Sequence, residues 1–260
     1  MHRRGHVLKW ILGALVVVAL FDLCLFLSTR RAAHGQSAVA TPTPSPLALL
    51  APTSAPPGTG LVITPTTEAT APASPNDLLY IVDKQHTLSA SYVPPDLVPL
   101  TTVRTTTPKQ MVRRVVLPHL EKLIADAKAA GFELAVTSAY RSYSEQEATH
   151  AYWVRIEGEA AADRVSAQAG QSEHQLGLAL DLTSAGAGFI LSENFGSLPE
   201  GKWLRENAHR YGFIIRYPEG KESVTGYAYE PWHIRYVGEE AATAIFQQGI
   251  TLDEYMRSKR

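Results

Sequence analysis

Residues 172–182 read SEHQLGLALDL. The leucines of this stretch recur at every second position, the period at which side chains alternate between the two faces of a β-strand. The pattern predicts a half-buried strand over about 176–182, with Asp181 and two small residues on the face opposite the leucines. A carboxylate among strand leucines needs a partner, because an unpaired buried charge is costly. His174, near the other end of the stretch, could converge with Asp181 on one ion.

A second segment, EPWHIRY at residues 230–236, places a carboxylate three residues before an imidazole. Pro231 favours an extended conformation for Glu230, so the pair is not part of a helical His-Glu-x-x-His motif. In an extended chain, His233 faces one way and Trp232 the other. Taken alone, the segment fits a ligand and base pair or a hairpin with a structural tryptophan.

A third segment, SAYRSYSEQ at residues 138–146, joins a predicted strand to a predicted helix. Arg141 lies where the strand ends and the helix begins, a common location for functional side chains. The alternative is a surface arginine paired with a carboxylate.

Helix and strand signals alternate irregularly along residues 78–260, without a repeated βαβ unit, which favours the α+β class. A capping-box pattern beginning at Thr107 predicts a helix that is kinked or restarted at Pro118 and ends at Gly131. Further helix starts are predicted at the pairs Ser144 and Glu147, Ser197 and Glu200, and Thr251 and Glu254. We expect one domain with a small antiparallel sheet flanked by helices.

The N-terminus, residues 1–31, is predicted to be a cytoplasmic end followed by a membrane anchor. Residues 10–27 form an 18-residue apolar stretch interrupted by Asp22, long enough to span a bilayer. Basic residues before the stretch favour a cytoplasmic N-terminus and an exported C-terminus. The alternative is a cleaved signal peptide, because residues 38–40 read Ala-Val-Ala, a small-x-small cleavage pattern.

Composition separates the rest of the chain into a linker and a domain. Residues 32–77 hold nine of the 17 prolines and many Thr, Ser and Ala residues, which predicts a disordered Pro/Thr/Ala-rich linker. Residues 77–260 hold 19 of the 24 basic and 23 of the 25 acidic side chains. This acidic balance argues against nucleic acid as a partner. The single cysteine, Cys24, excludes an internal disulfide and a cysteine-based zinc site.

Together the three segments resemble the VanY-type zinc D,D-carboxypeptidases and their L,D-carboxypeptidase relatives, which trim peptidoglycan stem peptides. The likeness extends over residues 78–260 and includes YGFIIRYPEGKESVTGYAYEPWHIRYVG at 211–238. It implies that His174, Asp181 and His233 bind one zinc ion, with an open position for water. It also implies that Glu230 is the general base and that Arg141 stabilises the oxyanion. The residues predicted to contact substrate are Ser172, Gln146, Tyr227 and Trp232; packing in the core is the alternative for Tyr227.

The resulting expectation is a single-pass protein of the cell membrane with an extracytoplasmic catalytic domain, or a secreted protein if the signal is cleaved. Its partners would be the peptidoglycan stem peptide and, through residues 10–27, the lipid bilayer, and we expect a monomer. The reaction would be removal of the terminal D-alanine, with D,D- and L,D-specificity both open. The alternatives are a catalytically silent peptidoglycan-binding domain and a cell-wall endopeptidase.

Overall fold

The computed structural model describes Ser74 and residues 77–259. The predicted anchor at 1–31, its alternative cleavage site and nearly all of the predicted linker at 32–77 lie outside the described residues. No helix within the described part of the chain is both long and apolar enough to cross a membrane.

The described residues contain six strands, seven α-helices and three short 3-10 helices. The strands are β1 (Leu97–Pro99), β2 (Met111–Arg113), β3 (Leu134–Ser138), β4 (Ala179–Ser184), β5 (Phe213–Tyr217) and β6 (Glu230–Tyr236). The α-helices are α1 (Leu117–Ala129), α2 (Tyr143–Glu157), α3 (Glu159–Val165), α4 (Pro199–Asn207), α5 (Glu222–Thr225), α6 (Glu239–Gln248) and α7 (Leu252–Ser258). The 3-10 helices are Glu173–Leu176, Glu193–Ser197 and Ala208–Tyr211.

The main sheet is antiparallel and has the strand order β3-β4-β6-β5, while β1 and β2 form a separate two-stranded antiparallel sheet. Strands β4 and β6 are therefore interior strands, and each is paired on both sides. Helices pack around this small sheet, and the predicted α+β class is confirmed.

The leucines of residues 172–182 lie in the hydrophobic core. Leu178, Leu180 and Leu182 are fully buried, and they share one cluster with Leu120 and Leu123 of α1. Strand β4 is buried on both faces, although one half-buried face was predicted. The strand also begins three residues later than predicted. The preceding 3-10 helix, Glu173–Leu176, is followed by Gly177 as its C-cap. Gly177 has a left-handed conformation (φ +66°), which glycine adopts without strain.

The predicted helix start at Thr107 is wrong. Residues 111–113 form β2, and α1 begins at Leu117, with Pro118 in its first turn. Lys109 has a left-handed backbone (φ +59°), which no helix accommodates, and the Gln110 side-chain amide donates to the Thr107 hydroxyl (2.8 Å). The polar residues therefore stabilise a turn between two strands rather than a helix end.

Two other predicted helix starts are displaced, and one is correct. The capping box of α2 is Ser142 with Glu145, two residues before the predicted pair. Helix α4 begins at Pro199 without a side-chain cap. Thr251 and Glu254 form the predicted capping box of α7.

Candidate active site

The register of the main sheet brings the candidate metal ligands together. Asp181 on β4 lies directly opposite His233 on β6, and cross-strand partners in an antiparallel sheet project from the same face. His174 comes from the 3-10 helix Glu173–Leu176, immediately before β4. The sheet therefore fixes two of the candidate ligands, and the turn that leads into the sheet supplies the third.

The three side chains form a compact set around the Asp181 carboxylate. Asp181 Oδ2 lies 3.3 Å from His174 Nε2, and Asp181 Oδ1 lies 3.2 Å from His233 Nδ1. One ligand atom from each residue lies within 4.8 Å of the other two, a spacing that could hold one metal ion. All three residues are buried, with at most 5% of each exposed.

The far nitrogen of each imidazole faces an acceptor. His174 Nδ1 lies 2.7 Å from the Ala139 carbonyl oxygen, which can only accept, so Nδ1 carries the proton and Nε2 keeps its lone pair. His233 Nε2 faces the Glu173 carboxylate at 3.5 Å. Each lone pair directed at Asp181 is available for a metal when the opposite nitrogen holds the proton.

The electrostatics of the set favour a cation. Burial raises the pKa of the Asp181 carboxyl, but the imidazoles of His174 and His233 outweigh burial and hold that pKa well below its usual range. Burial lowers the pKa of His174. Burial also lowers the pKa of His233, but its contacts with Asp181 and Glu173 outweigh burial and raise that pKa to about 9. A permanent negative charge therefore lies at the centre of the set.

Glu230 lies beside the ligand set at the start of β6. Its Oε2 is 3.7 Å from His233 Nδ1, on the side of the imidazole that faces Asp181. Burial raises the pKa of the Glu230 carboxyl to about 8, against a lowering effect from His233, and the negative charge of Asp181 contributes to the rise. A buried carboxyl that exchanges a proton near neutral pH is suited to general acid–base catalysis.

Arg141 extends into the site from the turn before α2. Its Nη1 donates to Gln146 Oε1 (2.7 Å), and its Nη2 donates to Ser138 Oγ (2.7 Å). The same Nη2 lies 3.8 Å from Asp181 Oδ2. Two hydrogen bonds to uncharged side-chain oxygens thus hold the guanidinium at the edge of the ligand set.

Two of the predicted substrate contacts, Ser172 and Gln146, make hydrogen bonds within the protein. The Ser172 hydroxyl accepts from the His174 backbone N–H (3.4 Å) and caps the 3-10 helix. Gln146 uses its oxygen for Arg141, and its Nε2 donates to the Ala167 carbonyl (2.6 Å). Ser172 contacts the backbone of the candidate ligand His174, whereas Gln146 contacts Arg141. A substrate contact by either residue stays a prediction.

The two predicted aromatic contacts lie in different places. The Tyr227 ring packs 5.0 Å from Tyr217, whose own ring lies 4.9 Å from His233, and the Tyr227 hydroxyl donates to the Gln171 carbonyl (3.4 Å). Trp232 lies next to His233 in β6, where side chains alternate, and it packs against the main hydrophobic cluster. Tyr227 is thus near the site, and Trp232 projects to the other face. Their roles toward substrate also stay predictions.

Sequence reasoning missed Glu173 and its partners. Glu173 Oε1 accepts from Arg216 Nε (2.8 Å) and from Arg235 Nη1 (2.6 Å), and Asp253 accepts from Arg216 Nη1 (2.6 Å). A signal was present, because FIIRY and HIRY each place an arginine among apolar strand residues. The argument that Asp181 needs a partner applies equally to these arginines.

The donor set fits a catalytic zinc ion, because two imidazole nitrogens and one carboxylate oxygen leave one tetrahedral position open. With the carboxyl of Glu230 beside the ligand set, the α+β fold and the site define the class of metal-dependent peptidases. The match to a family model, VanY: D-alanyl-D-alanine carboxypeptidase, covers residues 109–239. The chain belongs to this family, and the predicted family and carboxypeptidase class are confirmed.

Similar proteins support the same assignment. YodJ of Bacillus subtilis (strain 168) is 44% identical over 186 residues, which cover 70% of this chain and 68% of YodJ. The structure of the LD-carboxypeptidase LdcB has 43% identity and a TM-score of 0.66, over 70% of this chain and 87% of LdcB. The crystal structure of a mutant of the vancomycin-resistance D,D-pentapeptidase VanY, in complex with Zn(II), has 36% identity and a TM-score of 0.59, over 68% of this chain and 98% of VanY.

Proposed function

We propose that this protein is a zinc-dependent carboxypeptidase that removes the terminal D-alanine from peptidoglycan stem peptides. The observation that carries the proposal is the pairing of Asp181 with His233 across the sheet, with His174 completing the ligand set and Glu230 beside it. The Zn(II) in the VanY relative agrees with the predicted zinc cofactor. His174, Asp181 and His233 would hold the ion.

Bound zinc would polarise the scissile carbonyl and lower the pKa of the attacking water. Glu230 would accept the proton from that water and return it to the leaving amine, because its carboxyl lies beside the ligand set, 3.7 Å from His233 Nδ1. Arg141 would donate to the oxygen that becomes negative in the transition state. Its guanidinium is held for this by Ser138 and Gln146.

An exo-acting enzyme must also recognise the free carboxylate at the end of the peptide. Arg141 presents a planar fork of donors that fits a carboxylate or a developing oxyanion. Ser172, two residues before His174, could supply a hydroxyl to the same group. Amidating the substrate would remove the charge and leave these groups poorly paired, a loss that can cost as much as about 10⁴–10⁵ in specificity.

The test is incubation of the purified domain with matched stem peptides, followed by mass spectrometry and measurement of kcat/KM. Loss of one D-alanine from a pentapeptide ending in D-Ala-D-Ala reports D,D-activity, and loss from a tetrapeptide reports L,D-activity. We expect the free acid to be cleaved and its C-terminal amide to be nearly inert. Equal cleavage of acid and amide, or efficient cutting inside a longer chain, would favour the endopeptidase alternative. Absence of turnover with every peptide would favour the silent binding domain.

We further propose that residues 10–27 anchor the protein as a single membrane-spanning helix, with residues 32–77 as a disordered linker and the catalytic domain, as a monomer, outside the cytoplasm. The support is the length and apolar character of residues 10–27 and the basic residues that precede them. Full-length protein should stay in the membrane fraction at high salt and alkaline pH. Recovery of a soluble form that begins near Thr41 would support the cleaved signal instead.

A further inference from the structure

A buried group of four charged residues adjoins the candidate metal site through Glu173. We call it the ion cluster; its members are Glu173, Arg216, Arg235 and Asp253, and each is at most 8% exposed. Two carboxylates and two guanidinium groups balance each other in charge. Buried ion pairs persist only where the geometry and the hydrogen bonds offset the loss of water. The cluster meets that requirement, because Glu173 and Asp253 both accept short hydrogen bonds from Arg216.

Glu173 divides its two oxygens between the cluster and the metal site. Oε1 accepts from both arginines, whereas Oε2 faces His233 Nε2 at 3.5 Å. Within the described part of the chain, Glu173 Oε2 and His233 Nε2 are both buried and neither makes a hydrogen bond. Leaving a buried polar atom unpaired costs about 1–3 kcal/mol. At 3.5 Å, each of the two atoms lies within reach of the other as a candidate partner.

We propose that Glu173 is a positioning residue for the metal site. Its Oε2 accepts the Nε2–H of His233, fixes the tautomer of that imidazole, and leaves the Nδ1 lone pair directed toward Asp181 and the metal. The inference rests on the proposed zinc site. The Ala139 carbonyl does the same for His174 at its Nδ1, so the two imidazoles bind through opposite nitrogens. Partners of this kind fix the ring orientation of metal-binding histidines and increase their basicity.

The ion cluster explains why Glu173 can stay in place as an acceptor. Arg216 and Arg235 both donate to Oε1, which restrains the carboxylate and leaves Oε2 for His233. Arg235 also donates through Nη2 to the carbonyls of Leu78 and Tyr80, both at 2.9 Å. The Glu173 carboxylate, whose Oε2 faces His233, is thus held by contacts within the protein that do not involve the substrate.

The substitution Glu173→Gln tests the proposal. The amide oxygen can still accept from the arginines, which turns the NH₂ group toward His233. That imidazole must then accept at Nε2 and carry its proton on Nδ1, the atom that should bind the metal. We expect the dissociation constant for zinc, measured by competition with a chromophoric chelator, to rise about 10- to 100-fold.

The matched control is Asp253→Asn. It alters the same cluster through Arg216 but leaves the atoms that face His233 unchanged. We expect zinc affinity close to that of the wild type, even if the melting temperature falls. Unchanged zinc affinity in Glu173→Gln, or equal weakening in both variants, would show that Glu173 only balances the arginines and would overturn the proposal.

A measurement on the unsubstituted protein decides the case if Glu173→Gln does not fold. Side-chain ¹⁵N NMR of the zinc-loaded protein reports which ring nitrogen of His233 carries the proton. We expect Nε2, with the downfield proton shift and slow exchange of a hydrogen bond to a carboxylate; a proton on Nδ1, or an Nε2–H without that hydrogen bond, overturns the proposal. The proposed function fails separately, because wild-type protein that binds no zinc or cleaves no stem peptide would refute it before any variant is made.

Discussion

Replacing Gln146 by Met should remove one of the two side-chain contacts that position Arg141 and leave the metal ligands unchanged. Gln146 is 1% exposed, and both ends of its amide are used, one by Arg141 and one by the Ala167 carbonyl. Methionine has a similar length but offers neither a strong acceptor nor a donor. The substitution therefore removes two buried hydrogen bonds at nearly constant volume.

The magnitudes follow from the kind of hydrogen bond that is lost. The bond from the charged guanidinium contributes about 1.5–3 kcal/mol and the neutral bond to Ala167 about 0.5–1.5 kcal/mol, so the free energy of unfolding should fall by roughly 2–4 kcal/mol. Loss of an oxyanion donor costs about 2.7–4 kcal/mol of activation free energy. Gln146 supplies one of the two neutral side-chain contacts that hold Arg141, and Ser138 supplies the other. About half of that cost corresponds to a fall in kcat of roughly 10- to 30-fold.

A double-mutant cycle isolates the coupling. The assay is kcat and KM on a stem peptide for Gln146→Met, Arg141→Met and the double variant, with zinc content and melting temperature measured for each. Because Gln146 is expected to act through Arg141, the double variant should be no slower than Arg141→Met alone. Additive losses in kcat would refute the reasoning. A loss confined to KM would instead support the predicted direct contact of Gln146 with substrate.

Three further predictions concern the base, the metal and the core. Glu230→Gln should lower kcat by about 10²–10⁴ while retaining zinc and the melting temperature, and near wild-type turnover would exclude Glu230 as the base. Elemental analysis of residues 78–260 should find one zinc per chain, and His174→Ala combined with His233→Ala should reduce it to near zero; an unchanged zinc content would place the metal elsewhere. Leu180→Ala removes a fully buried side chain from β4 and should lower the free energy of unfolding by about 2–5 kcal/mol in urea titrations, whereas a loss below 1 kcal/mol would contradict its place in the core.

Local patterns in the sequence predicted the extended segments that carry the candidate ligands, whereas the ligand set itself was implied by the resemblance to a known family. Asp181 stood out as a carboxylate among alternating leucines, and Pro231 correctly favoured an extended rather than helical segment before His233. The class of fold also followed from the irregular mixture of helix and strand signals. These inferences depend on neighbours within a few residues, which a single sequence displays.

What the sequence did not predict depends on distant or competing contacts. The partners of Glu173 lie 43 and 62 residues further along the chain, and Gln146 is occupied by Ala167, 21 residues away. Thr107 had the pattern of a helix cap, but the same hydroxyl was available to a side-chain amide in a turn. Local propensity is weak enough for such tertiary contacts to override it.

The pairing of β4 with β6 also has a consequence for the order of events during folding. Asp181 and His233 are cross-strand neighbours, yet about 50 residues separate them along the chain. An unfolded chain therefore loses the conformational entropy of a long loop when the two residues come together. Contacts of such high sequence separation form slowly, and both strands are interior strands of the sheet. The nascent chain therefore has no assembled ligand set, and the complete set exists only when these strands are paired. The compartment in which the domain folds, rather than the one in which it is synthesised, then determines which divalent ions compete for the site.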